Sequence, residues 1–125
     1  MIAGEGQPTA DSDRQTQLLR GALDMCLLAL LAREPAHGYE LVRRMEAAGF
    51  GAISYGTIYP LLTRMRRLGL VAHEQHASPT GPPRKVYALT RSGRVHLDAW
   101  RQQWNRFADT VGTVLDQLDQ SPTRS

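Results

Sequence analysis

A mainly α-helical fold with one small β-hairpin and a long last helix is what this 125-residue chain predicts. Three observations carry the prediction. In residues 54–70, Ile58, Leu61, Leu62, Met65 and Leu68 recur at the spacing of one helix face. Two strand-like runs, residues 70–77 and 84–89, flank the turn-rich Ser-Pro-Thr-Gly-Pro-Pro of 78–83. From Leu97 onward, Trp100, Trp104, Phe107, Val111, Val114 and Leu118 follow at alternating steps of three and four, a heptad seam.

The length suits one compact domain with extensions. The longest apolar run, residues 25–32, falls far short of the roughly 20 residues that span a bilayer. No secretory leader pattern opens the chain. A soluble, cytoplasmic protein without membrane contact is therefore expected. The single cysteine, Cys26, lies inside the apolar run, in no metal-ligand spacing, and is expected to be a buried core thiol.

Net charge is only +3, but 13 of the 15 Lys/Arg and six of the 12 Asp/Glu fall between Arg14 and Arg101. The middle is basic and both ends are acidic, the distribution of an anion-binding body.

The elements follow in order. Residues 1–13 are polar, small and acidic, and are expected to be disordered, as are 121–125. A first helix is expected over about 14–33. Its apolar residues, among them Leu19 and Leu23, surround the axis, so it needs cover on both sides, some of it from a second subunit. Glu34-Pro35 ends it. A second helix runs from about 37 or 38 to 48, with Tyr39, Leu41, Val42 and Met45 as candidate inward residues, and Gly49 and Gly51 turning the chain. Ala52-Ile53 is a candidate short strand. Ser54 caps the third helix, which carries Pro60 and closes at Gly69. The hairpin comes next. Thr90 then caps the last helix, residues 91–120, whose seam outlasts the domain core and calls for a partner.

Three helices followed by a hairpin is the order of a winged helix-turn-helix domain, residues 14–90, with the last helix, 91–120, as a dimerisation element. Opposite its apolar face the third helix offers hydroxyls, aromatics and arginines but no carboxylate. Ser54, Tyr55, Thr57 and Tyr59 can donate to phosphate. Thr63, Arg64 and Arg67 can reach bases or backbone, and Arg84 and Lys85 would lie beside a phosphate strand. Arg66 is either a DNA contact or an ion-pair partner.

Four motifs resemble the PadR family of bacterial transcriptional regulators: Leu18-Leu19-Arg20-Gly21, His37-Gly38-Tyr39-Glu40-Leu41, Gly56-Thr57-Ile58-Tyr59-Pro60-Leu61-Leu62, and the run from Gly81-Pro82-Pro83-Arg84-Lys85 to Leu89-Thr90. Each is weak alone; their order and spacing make the resemblance specific. The single long last helix is similar to the short-tailed subgroup. The resemblance implies a homodimeric repressor that binds double-stranded operator DNA, and, in some members, responds to drugs or phenolic compounds. It implies that Thr57 and Tyr59 lie on the recognition helix, Tyr39 beside the DNA backbone, and Arg84 and Lys85 in the wing. It also places Trp104 where drug-binding members keep a pore-lining tryptophan.

Other features read more plainly. Trp100 and Trp104 sit on the seam, where dimer packing and the stacking of a flat aromatic effector are both open, and can coexist. The dimer interface is expected at Leu19, Leu23, Leu97, Trp100, Trp104, Phe107, Val111, Val114 and Leu118. His37, just before a helix, is expected to be a capping or structural histidine and not a catalyst. His73 and His76, three apart on a strand, point to opposite faces, which argues against a metal site. His96, one residue off the seam, faces either the dimer or solvent. No catalytic constellation or cofactor motif stands out, so no enzyme activity and no cofactor are expected. A winged-helix interaction module, or a small-molecule buffer without specific operator binding, is the rival reading.

Overall fold

The computed structural model describes residues 10–120. Residues 1–9 and 121–125, most of the two expected tails, lie outside that range. Helix α1 spans Ala10–Arg33 and so begins four residues earlier than expected. Asp11 and Asp13 in its first turn complement the positive helix N-terminus, and Asp11 pairs with Arg14 one turn on. After Pro35, strand β1 (Ala36–His37) leads into α2 (Gly38–Met45). A wide π-type turn, Glu46–Phe50, follows, ended by Gly49 and Gly51 with φ of 108° and 83°, a region that favours glycine. Helix α3 is Tyr55–Arg67, strands β2 and β3 are Val71–Ser78 and Gly81–Leu89, and α4 is Arg91–Asp116 with a last 3-10 turn, Gln117–Asp119.

The sheet has three antiparallel strands in the order β1-β3-β2. Strand β1 was not foreseen, because two residues show no alternation. It pairs Ala36 with Tyr87 and His37 with Val86, tying the start of α2 to the wing. The strand expected at Ala52-Ile53 does not form; that segment links the wide turn to α3 and buries Ile53. The hairpin is longer than expected. Pairing runs from Val71↔Leu89 to His76↔Arg84 and resumes at Ser78↔Gly81, leaving a tip of Pro79-Thr80. Pro82 and Pro83 sit across from the irregularity between His76 and Ser78, where the ladder needs no N–H from them.

The core gathers Leu27, Leu28 and Leu31 of α1, Leu41 and Met45 of α2, Ile58, Leu62 and Met65 of α3, and Val71 and Tyr87 of the sheet. Three inward placements are corrected. Tyr39 is 61% exposed, on the face of α2 turned to the wing; Gly38, Leu41 and Met45 make the buried face instead. Leu68 is 60% exposed because it is the C-cap of α3, where Gly69 (φ 79°) swings the chain away. Cys26 is half-buried, not core, and its burial raises the thiol above its ordinary pKa.

Two joints fix α4 to the domain. Thr90 Oγ1 accepts from the Gly93 N–H (2.9 Å) and donates to the Gly69 carbonyl (2.7 Å). Gly93 lies against the Leu70 carbonyl, with no room for a side chain. Thr90→Ala removes both hydrogen bonds and is expected to cost about 1–2 kcal/mol, read by urea unfolding. A midpoint equal to wild type would mean that the cap contributes nothing.

Candidate nucleic-acid interface

An open groove of about 770 Å³ lies between the helix-turn-helix and the wing. His37, Tyr39 and Arg43 of the α2 side, Tyr55 and Tyr59 of α3, and Arg84 and Lys85 of β3 line it, and no carboxylate does among the described residues. Local structure places each group. Ser54 Oγ accepts from the Thr57 N–H (3.2 Å) and starts α3 pointing Tyr55 and Tyr59 at the wing. Tyr55 stacks on Tyr39 (centroids 4.5 Å, planes at 19°) and tilts against Tyr59 (5.7 Å). The Tyr55 ring covers the spot where a Cβ on Gly38 would stand, which explains the glycine of the His-Gly-Tyr run. Pro60 lies in the helix interior; its missing N–H would have bonded the Gly56 carbonyl, on the face of α3 left to water.

The sequence-derived DNA residues fall into three groups. Tyr39, Tyr59, Arg84 and Lys85 meet in the groove, and all four are exposed. Thr57 and Arg67 are exposed elsewhere on α3. The others are already engaged or partly covered. Ser54 is the helix cap, its Oγ also 3.2 Å from Thr57 Oγ1. Tyr55 is half-buried as the strut beneath Tyr39, and burial raises its phenol. Thr63 is half-buried, and Arg64 pairs with Asp24 of α1 at 3.1 Å. Arg43 was not foreseen. Glu40 pairs with both Arg43 (2.6 Å) and Arg44 (3.4 Å), and these arginines hold its carboxyl below the usual range.

His37 takes the first of its two expected roles, the helix cap. Its Nδ1 accepts from the Glu40 N–H (3.2 Å), and its Nε2 stands 3.1 Å from an Arg84 nitrogen. Burial lowers its pKa, and Arg84 and Arg43 lower it further. His73 packs edge-on against Tyr87 (5.4 Å), and burial, then Arg66 and Lys85, lower it as well. His76 pairs with Glu74 (2.8 Å) instead, and no cluster of three potential metal ligands exists among the described residues. A histidine lowered on folding binds fewer protons folded than unfolded. Its stabilisation is therefore full above about pH 6.5 and is lost as pH falls through the depressed value. Melting temperature is expected to rise from pH 5.5 to 7.5, less so in His73→Phe. An unchanged pH slope in that variant would show that His73 carries none of the effect.

Away from the groove, the heptad seam divides. Leu97 is buried and Trp100 half-buried against the core, with the Trp100 ring edge-on to His96 (5.3 Å). Leu23 is also buried, and Leu19 half-buried, within the one chain, so both Leu23 and Leu97 of the expected interface are already covered. Beyond them Trp104 (39% exposed), Phe107, Val111, Val114 and Leu118 stand in solvent, as does Leu18 in the first half of α1. Trp104 and Cys26 line a shallow groove of about 430 Å³ between α1 and α4; Trp100 does not reach it.

This geometry, a helix-turn-helix braced against a cationic wing and followed by a long helix with an exposed apolar seam on its second half, is that of a DNA-binding regulator. Residues 27–99 match the transcriptional regulator PadR-like family. The chain belongs to that family. It is 38% identical to a PadR-like transcriptional regulator from Bacillus cereus whose structure is solved, covering 79% of this chain and 96% of that one with a TM-score of 0.72. A PadR family transcriptional regulator from Eggerthella lenta is also 38% identical, covering 83% and 90%, with a TM-score of 0.76. Transcriptional regulator YqjI of Escherichia coli is 32% identical over 114 residues, 86% of this chain but 53% of that protein, so the present chain spans about half its length. No described helix is long and apolar enough to cross a membrane.

Proposed function

We propose that the protein is a homodimeric, cytoplasmic repressor that binds a pseudo-palindromic operator through paired α3 helices, with each wing on flanking backbone. It is a binding protein, with no catalytic role. The observation that carries this reading is the groove where Tyr39, Tyr59, Arg84 and Lys85 converge with no carboxylate among the described lining residues. Its geometry suits a phosphate strand running beside a helix in the major groove. The exposed half of the α4 seam supports pairing, since five large apolar residues at heptad spacing gain from burial against a second copy.

The test is a gel-shift titration of the DNA upstream of its own gene at several salt concentrations. Log affinity is expected to fall steeply with log salt, by about one unit of slope per phosphate contact. Weak binding that salt does not alter would favour the interaction-module reading.

A flat aromatic or drug-like effector would stack on Trp104 at the centre of the dimer and shift the spacing of the reading heads. It can do so only by its differential affinity for the two dimer states. Saturable quenching of tryptophan fluorescence, lost in Trp104→Leu, is the expected result. Unchanged emission across a broad panel would leave Trp104 as packing.

A further inference from the structure

One contact in the groove is chemically incomplete. His37 Nδ1 is the acceptor that caps α2, taking the Glu40 N–H at 3.2 Å. An imidazole nitrogen that accepts carries no proton, so in the neutral ring the proton sits on Nε2. Nε2 is the atom 3.1 Å from the Arg84 guanidinium nitrogen. Guanidinium nitrogens only donate. Two donors therefore face one another across the base of the wing, and no hydrogen bond can join them. Strand pairing holds them there: His37↔Val86 sets His37 beside β3, two residues from Arg84. The charges that face His37 are Arg43, Arg44 and Glu40 from α2 and Arg84 from β3; the Glu40 carboxylate is already held by both arginines of its own helix. An anionic oxygen placed between Nε2–H and Arg84 would satisfy both donors.

We propose that His37 and Arg84 form a two-donor clamp for one phosphodiester oxygen, with His37 acting as a neutral Nε2–H donor and Arg84 as the charge. The clamp rests on the DNA-binding reading above and adds to it a residue and a protonation state. His37 stays neutral because a second proton would have to enter at Nδ1, the atom that caps α2. The burial and cationic surroundings that lower its pKa favour the same state. Sequence alone could not show this, since the motif gives the histidine and the arginine but not their apposition across 47 positions.

Because a phosphate contact carries no sequence information, a duplex of unrelated sequence serves as the probe beside the upstream DNA. His37→Asn keeps a good N-cap side chain and removes the Nε2 donor. It is expected to weaken binding to both duplexes about tenfold for each engaged protomer, the loss of a hydrogen bond to a charged group. Its salt slope should equal wild type, because a neutral donor releases no counterion. Arg84→Ala should weaken binding and also lower the slope by about one for each engaged protomer. Nitrogen-15 NMR of the histidine ring should show the neutral Nε2–H form at pH 7, free and with duplex. Equal affinity of His37→Asn and wild type, a slope lowered in His37→Asn, or an Nδ1–H ring would each overturn the clamp while leaving the DNA-binding reading intact. A wild-type affinity that salt does not alter would overturn both.

Discussion

Val111→Glu is expected to leave each domain folded and to reduce operator affinity by about a hundredfold or more. Val111 lies midway along the solvent-facing half of the α4 seam, 39% exposed in the single chain, between Phe107 and Val114. It packs on no core residue, so the fold should tolerate the change. In a dimer the same position would be buried, and an unpaired carboxylate there strongly opposes association. Two linked reading heads bind more tightly than one by about 10²–10⁴, and a monomer forfeits that gain. Sedimentation should give a monomer, circular dichroism a wild-type helix content, and the gel shift a weak, shallow titration. A dimer of unchanged affinity would remove the exposed seam from the account.

Gly93→Ala is expected to be the most damaging single methyl group in the domain, at about 3 kcal/mol. The added Cβ would fall inside contact distance of the Leu70 carbonyl oxygen and of Leu89 Cδ1. The first of these is backbone, held by the Thr90 N–H at 3.1 Å, and cannot swing aside as a side chain would. Either α4 lifts off the hairpin or Thr90 loses its grip on the helix. Gly56→Ala is the matched control, since its Cβ would meet only Ser54 Oγ at 3.5 Å. Chemical denaturation of the two variants should separate them clearly. Equal midpoints would mean that α4 is not seated where the Gly93 contact places it.

Much of this arrangement could be read from the chain because its signals are local. The stripe of Ile58, Leu62 and Met65, the caps at Ser54 and Thr90 and the breaks at Pro35 and Gly69 act within one or two turns, and the helices start and stop close to them. What could not be read depends on pairings distant in sequence. Strand β1 is two residues long and exists only because β3 offers it an edge. Tyr39 has an apolar ring at a helical spacing, yet it faces out, since Tyr55 and Gly38 fill the space beneath it. Arg64 has the composition of a DNA contact but meets Asp24, forty residues earlier, on α1. Arg43 carries no motif of its own and joins the groove only because α2 is placed beside the wing. Leu23 and Leu97 look like interface residues on a helical wheel, and the chain covers them itself.

The measurement that tests the central claim most directly is a hydroxyl-radical footprint of the protein on the DNA upstream of its gene. Paired recognition helices predict two protected segments about one helical turn apart, roughly 10 base pairs centre to centre, related by an approximate dyad. Each should be flanked by backbone protection from a wing, and that flank should fade in Arg84→Ala. A uniform pattern, with no discrete protection at concentrations that coat unrelated DNA, would contradict the claim.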